Sequence, residues 1–168
     1  LAGLAVGDQA GIPVEKAALQ FRDFHGLRQK ILRLENRFTI IDDTYNASPD
    51  SMRASLDVLC NMKTEGRKIA VLGDMFELGT DSERYHYEVG EYLADLPIDE
   101  LVVVGERAKA IHKALVDHKS RIRVSEYVDN EEVAMYLLGT LMPEDIVLIK
   151  GSNGMKMSEI VDLLQKSN

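Results

Sequence analysis

The fold class follows from two short stretches, LVVV at residues 101–104 and IVLI at residues 146–149. Neither stretch alternates between apolar and polar residues, and an uninterrupted apolar run is typical of a strand that is covered on both faces. Such strands occur almost only in parallel sheets with helices on both sides. The two stretches therefore predict an α/β domain.

The rest of the chain alternates between predicted strands and helices. The predicted strands lie at 30–34, 38–41, 68–72, 101–104, 122–128 and 146–149, and the predicted helices at 50–63, 82–96, 107–118, 130–141 and 156–165. After an opening pair of strands, helix and strand follow each other in strict turn, which is the pattern of parallel strands joined by helical crossovers. We therefore expect a Rossmann-like three-layer sandwich, in which a mostly parallel sheet of about six strands has helices on both faces.

Composition limits the classes of function. A chain of 168 residues with 45% hydrophobic and 29% charged residues has the composition of one globular domain with a short appendage. The formal net charge of −8 argues against a nucleic-acid-binding surface, which needs clustered Lys and Arg. The sequence has no run of about 18 apolar residues and does not open with the basic-then-apolar order of a signal peptide. We expect a cytoplasmic protein that binds no nucleic acid and does not insert into a membrane.

Ligands of an open parallel sheet bind beyond the carboxyl ends of its strands, which directs attention to the loops DDTYNASP (42–49), GDMFELG (73–79), GER (105–107) and KGSNG (150–154). The first loop could hold a ribose, a metal or a charged substrate, but Asp42 and Ser48 could equally only turn and cap the chain. In the second loop, Asp74 and Glu77 could bind a cation or belong to a plain acidic loop. The fourth loop suits an anion, although glycine-rich turns of this kind are common.

Several familiar sites are missing from the sequence. Neither a G-x-x-x-x-G-K-[ST] phosphate loop nor a G-x-G-x-x-G dinucleotide loop occurs, and no Ser or Cys lies in a nucleophile elbow. The four histidines show no metal-ligand spacing, so we interpret each as a surface or packing residue. The sequence therefore predicts no catalytic residue and no metal site within this chain.

Three stretches together resemble the Mur ligase family: TIIDDTYNASPDSM at 39–52, VLGDMFELG at 71–79 with His86 and Gly90 after it, and LIKGS at 148–152. The first is long and specific. Within the family it is similar to the ligases that add D-alanyl-D-alanine to a peptidoglycan precursor, because the ligases that add single amino acids carry different residues after the first acid, often including a His.

The resemblance implies a three-domain, ATP-dependent ligase. ATP would phosphorylate the carboxylate of UDP-N-acetylmuramoyl-tripeptide, and the amine of D-alanyl-D-alanine would then displace phosphate from this acyl phosphate. The family binds ATP and Mg²⁺ mainly through a central domain that precedes the one resembled here. Residues 1–25 are expected to be a helical remnant of that central ATPase domain and residues 26–168 the C-terminal domain. We expect a monomer whose missing domains are its partners, and a fragment that is inactive alone.

The resemblance also implies roles for individual residues. Arg28 would reach the ATP phosphates, and Asp43 would bind the ribose or orient neighbouring ligands. Tyr45 and Asn46 would line the same cleft. The residues that face the acceptor substrate across this cleft would be Lys150, Gly151 and Ser152.

Two other readings stay open at this point. A phosphoacceptor receiver domain also combines two acids after its first strand with a middle Asp and a late Lys. The corresponding residues here would be Asp42, Asp43, Asp74 and Lys150. Between Asp74 and Lys150, however, we predict two strands where a receiver has one. The third reading is a Rossmann-like interaction module without a small ligand, since fold alone does not determine function.

Overall fold

The computed structural model describes residues 29–167. The predicted remnant at 1–25 and Arg28 lie outside the described residues. The strands are β1 (Lys30–Arg33), β2 (Thr39–Asp43), β3 (Lys68–Gly73), β4 (Glu100–Val104), β5 (Arg123–Tyr127) and β6 (Ile146–Lys150). The helices are α1 (Pro49–Asn61), α2 (Ser82–Leu93), α3 (Lys109–Asp117), α4 (Asn130–Thr140) and α5 (Ser158–Lys166), and single 3-10 turns occur at Gly79–Asp81 and Asn153–Met155.

The six strands form one sheet in the order β1-β2-β6-β3-β4-β5. From β2 to β5 every neighbouring pair is parallel. The link between β1 and β2 spans only residues 34–38, and a parallel pair needs a crossover of a dozen or more residues, so these two strands form an antiparallel hairpin. The predicted mostly parallel sheet of about six strands is confirmed.

Helices cover both faces of the sheet. The side chains of α1, α2 and α3 pack on one face, and those of α4 and α5 pack on the other. Every residue of β4 and β6 is buried, as the two apolar tetrads predict, whereas no residue of the edge strands β1 and β5 is fully buried. The prediction of a three-layer sandwich is therefore confirmed.

The order of the strands creates a crevice beside β6. The chain steps in one direction through β2, β3, β4 and β5 and then returns to place β6 between β2 and β3. Because crossovers are right-handed, the return moves the later helices to the opposite face, so the connection after β6 diverges from those after β2 and β3. Such a switch point is where open α/β sheets bind ligands.

Capping side chains determine where two of the helices begin. At α1, the hydroxyl of Ser48 accepts a hydrogen bond from the amide of Ser51 at 3.3 Å, and the amide of Ser48 donates one to the hydroxyl of Ser51 at 2.9 Å. Pro49 occupies the first turn. At α4, the carboxylate of Asp129 accepts hydrogen bonds from the amides of Glu131 and Glu132. The longest helix described is α1 with 13 residues. Within residues 29–167, none of the helices has the length and apolar content to cross a membrane.

Candidate functional site

The carboxyl ends of β2 and β6 lie side by side, and each strand ends on a charged residue. The register pairs Asp43 with Lys150. The ammonium Nζ of Lys150 lies 2.8 Å from Oδ2 of Asp43, and the lysine side chain is 1% exposed. The sequence predicted strand ends at residues 41 and 149, so it placed both residues in loops. Their position inside the sheet is what brings them into contact.

Two further groups complete this cluster. The hydroxyl of Ser55 on α1 donates a hydrogen bond to the same Oδ2 of Asp43 at 2.5 Å. The backbone carbonyl of Asn46 accepts a hydrogen bond from Nζ of Lys150 at 2.8 Å. Within residues 29–167, both side-chain partners of Asp43 bind Oδ2. The other carboxylate oxygen, Oδ1, accepts no hydrogen bond from this part of the chain.

Burial makes the two charges of this pair depend on each other. Burial lowers the pKa of Lys150 below its ordinary value because desolvation disfavours the ammonium, while the hydrogen bond and charge of Asp43 act in the opposite direction. Removing Asp43 would leave a buried ammonium without its counter-charge, which is costly in a site closed to water. The pair therefore fixes both strand ends only while both partners are present.

The loop after β2 is turned by its own side chains. Oδ1 of Asp42 accepts hydrogen bonds from the amide of Thr44 at 3.2 Å and from its hydroxyl at 2.8 Å. Oδ1 of Asn46 accepts one from the amide of Ala47 at 2.8 Å. Asp42 therefore turns the chain, as one of the two readings held, and Asp43 forms the ion pair. Tyr45, in the same loop, is 59% exposed.

The loop after β6 is tied to the loop after β3. The hydroxyl of Ser152 accepts a hydrogen bond from the amide of Phe76 at 2.8 Å, and the amide of Ser152 donates one to the carbonyl of Asp74 at 3.0 Å. At Gly151, an added Cβ would lie 2.3 Å from the sulfur of Met157, so a glycine is needed for that side chain to fill the space. Of the predicted acceptor-side residues, Lys150 therefore contacts the β2 loop and Ser152 contacts the β3 loop.

Asp74 joins the loop after β3 to the start of α3. It is 7% exposed, and its Oδ1 accepts a hydrogen bond from the amide of Ala108 at 2.8 Å. A receiver domain needs an accessible Asp at this position. It also has one strand between this Asp and the late Lys, whereas this chain has two strands there, β4 and β5. The structure therefore does not support the receiver reading. No group of three or more His, Cys, Asp or Glu side chains in the described range could hold a metal ion.

Residues 27–153 match the family model described as "Mur ligase, glutamate ligase domain". The chain belongs to the Mur ligase family. The match covers all three stretches that suggested the family, as well as the cluster at the ends of β2 and β6.

Curated relatives and a solved structure agree with this assignment. A UDP-N-acetylmuramoyl-tripeptide–D-alanyl-D-alanine ligase of Bacillus subtilis (strain 168) is 34% identical over 168 residues, which is 98% of this chain and 37% of the relative. The ligase of the same name from Rickettsia prowazekii (strain Madrid E) is 34% identical over 138 residues, covering 82% of this chain and 30% of the relative. The crystal structure of MurF ligase from Thermotoga maritima in complex with ADP superposes with a TM-score of 0.71 at 30% identity, covering 97% of this chain and 36% of that one. This Mur ligase domain thus spans about a third of the length of these relatives.

Two side chains at this candidate site were not among the predicted site residues. Ser55 is a buried hydroxyl on the apolar face of α1, beside Met52, Leu56 and Leu59, and a polar residue on such a face is the signal that could have identified it. His86 was interpreted as a surface or packing histidine, and it is fully buried. It accepts a hydrogen bond from the amide of Met75 in the loop after β3, and no spacing in the sequence indicates this contact.

Proposed function

We propose that this Mur ligase domain works within an ATP-dependent ligase that joins D-alanyl-D-alanine to UDP-N-acetylmuramoyl-tripeptide. The observation that supports it most directly is the contact of Asp43 with Lys150, because it joins the first and third family stretches into one cluster at the switch point of the sheet. The names of the relatives and the ADP in the Thermotoga maritima structure are consistent with this activity.

The site divides into a nucleotide side and an acceptor side in this proposal. On the nucleotide side, Asp43 offers Oδ1 to a ribose hydroxyl, since Oδ2 is held by Lys150 and Ser55. Tyr45 and Asn46 lie on the adjoining loop, and Arg28 would reach the phosphates. On the acceptor side, the loop that begins with Lys150, Gly151 and Ser152 lies against the β3 loop. This arrangement allows both substrates to meet in the crevice beside β6.

The reaction that fits these substrates has two steps. A carboxylate oxygen of the tripeptide takes the γ-phosphoryl group of ATP, which gives an acyl phosphate and ADP. The dipeptide amine then attacks the acyl carbon, and the tetrahedral intermediate expels phosphate as the amide forms. In this proposal the phosphates of ATP and Mg²⁺ are held mainly by parts of the ligase outside this chain, and the present domain closes over the nucleotide.

The test is an assay of the full-length ligase that contains this domain. With ATP, UDP-N-acetylmuramoyl-tripeptide and D-alanyl-D-alanine, we expect release of phosphate and a product whose mass is the sum of the two substrates less one water. Single D-alanine is the matched control and should give no product. Efficient ligation of a single amino acid in place of the dipeptide would refute the substrate assignment.

The 168-residue chain alone serves as the second arm of this assay. It contains no phosphate loop, so we expect it neither to release phosphate from ATP nor to form a peptide bond. Phosphate release that scales with the amount of this chain and is abolished by Asp43→Asn would contradict the assignment of ATP chemistry to the rest of the ligase.

A further inference from the structure

The imidazole of His86 lies buried between α2 and the loop that follows β3. It is 0% exposed. Its Nε2 lies 2.9 Å from the backbone nitrogen of Met75, and its Nδ1 lies 2.6 Å from the carbonyl oxygen of Ser82. A carbonyl only accepts and an amide only donates, so Nδ1 carries the proton and Nε2 accepts from Met75. The geometry therefore requires one neutral tautomer of His86.

The same loop is held from the opposite side by Ser152. The carbonyl of Asp74 and the amide of Phe76, which flank Met75, both hydrogen-bond to Ser152. Three consecutive residues of the loop are thus fixed through their backbones, one by α2 and two by the segment after β6. A shift of the β3 loop would therefore move Ser152 or break its contacts.

An apolar side chain would fill the volume of His86 but could not make these bonds. The amide of Met75 would then be buried without an acceptor, and an unsatisfied buried donor favours any loop conformation that exposes it to water. Burial lowers the pKa of His86 because desolvation disfavours the imidazolium, against the opposing effects of the Ser82 carbonyl and Asp74. Arg107 acts in the same direction as burial, so these surroundings favour the neutral form that the loop needs.

We infer that His86 is a positioning residue: by accepting the hydrogen bond of Met75 it holds the β3 loop against Ser152 and so preorganises the acceptor side of the site. This inference rests on the proposed ligase function. It predicts that losing the imidazole acceptor impairs use of D-alanyl-D-alanine more than use of ATP, because Asp43 on the nucleotide side is held by Lys150 and Ser55 and not by the β3 loop.

The decisive variants are His86→Gln and His86→Leu in the full-length ligase. Glutamine retains one acceptor and one donor, whereas leucine fills similar space and retains neither. We expect His86→Leu to lower kcat/KM for D-alanyl-D-alanine at least tenfold and to change KM for ATP less than twofold, with His86→Gln within about threefold of wild type in both. The same replacements at His112, a half-buried residue of α3 that contacts Glu126 of β5, are the matched control and should leave both constants unchanged.

Nuclear magnetic resonance on the 168-residue chain tests the geometry without relying on activity. We expect His86 to be neutral with its proton on Nδ1 at pH 7, and the Met75 amide to exchange at least tenfold faster in His86→Leu than in wild type or His86→Gln. An Nε2–H tautomer, or unchanged exchange in His86→Leu, would overturn the inference. Unchanged kinetics for the dipeptide in His86→Leu would overturn it as well, provided that wild type is active. A wild-type ligase that does not use the dipeptide would instead refute the proposed function.

Discussion

At the scale of single residues, the site depends on polar groups that are buried in pairs. Lys150 lies with Asp43 and Ser55, and His86 lies with Met75 and the first turn of α2. Each of these groups has a large desolvation cost that its partner offsets, so the cost appears when one partner is removed. The residues that define the crevice should therefore influence stability as well as binding.

The pair of Asp43 and Lys150 can be tested by a double-mutant comparison. Lys150→Met leaves the Asp43 carboxylate facing a buried apolar side chain, and we expect it to lower the free energy of unfolding by ~3 kcal/mol. Asp43→Asn combined with Lys150→Met removes both charges, so the double variant should be more stable than Lys150→Met alone. Urea unfolding of the 168-residue chain measures both values. Equal stability of the two variants would show that the carboxylate is not desolvated.

At the scale of elements, close helix packing depends on a glycine. Gly90 in α2 faces α3, where an added Cβ would lie 2.4 Å from the carbonyl oxygen of Ile111 and 2.7 Å from Cβ of Ala114. Both neighbours are fixed by the helix to which they belong, so neither can give way without separating α2 from α3. Gly139 in α4 is the opposite case, because an added Cβ there would meet no atom within 4 Å.

Replacing these two glycines by alanine should change the free energy of unfolding in opposite directions. Gly90→Ala should lower the free energy of unfolding by ~2 kcal/mol, since overpacking between rigid elements typically costs ~1–3 kcal/mol. Gly139→Ala should raise it by ~0.5–1 kcal/mol, because alanine loses less backbone entropy than glycine when a helix forms. Chemical unfolding of both variants is the measurement. Stabilisation by Gly90→Ala would show that α2 and α3 can move apart at little cost.

At the scale of the whole molecule, the two edges of the sheet have different roles. The carboxyl edge forms the site, whereas the amino edge holds a buried charge network. There, Arg67 contacts Asp145 at 2.6 Å and Glu100 at 3.5 Å, and Tyr136 donates its hydroxyl to Glu100. The network connects β3, β4 and β6 with α4, so it fixes the strands at the end opposite to the site.

Arg67→Met tests the role of the amino edge. The variant leaves the buried carboxylate of Asp145 without its ion-pair partner, while Glu100 keeps its contact with Arg123. We expect a loss of ~3 kcal/mol of unfolding free energy at pH 7. Burial alone would raise the pKa of Asp145, but hydrogen bonds from Arg67 and from the amides of Met142 and Arg67 lower it below its ordinary value of 3.8. A carboxyl with a lowered pKa stabilises the fold above pH 3.8, and this contribution is lost as the pH falls through the folded-state value.

The difference between wild type and Arg67→Met should therefore shrink as the pH falls from 7 toward about 3, because protonation removes the unpaired charge of Asp145 in the variant. Urea unfolding at several pH values measures this difference. Arg121→Met, an exposed position in the loop before β5, is the control and should change stability by less than ~0.5 kcal/mol. A difference that is independent of pH would show that Arg67 acts through packing rather than charge.

The sequence by itself determined the type and order of the elements, the two-faced sheet and the family. Apolar runs such as those at 101–104 and 146–149, and caps such as Ser48, are local signals, because a strand or helix is specified by periodicity within a few residues. The stretch at 39–52 indicated the family in the same local way, because the motif is a run of consecutive residues. Element ends were less certain: α2 ends at Leu93 rather than at residue 96, and α5 begins at Ser158 rather than at residue 156.

Only the tertiary structure decided which of these residues meet. Asp43 and Lys150 are 107 residues apart in sequence, and they are partners because β6 inserts beside β2 in one register. The hydrogen bond of His86 with Met75 and the approach of Gly90 to Ile111 likewise depend on how α2 packs against the β3 loop and against α3. Strand order and register are set by the burial of a whole sheet face rather than by local propensity, so no short stretch contains them.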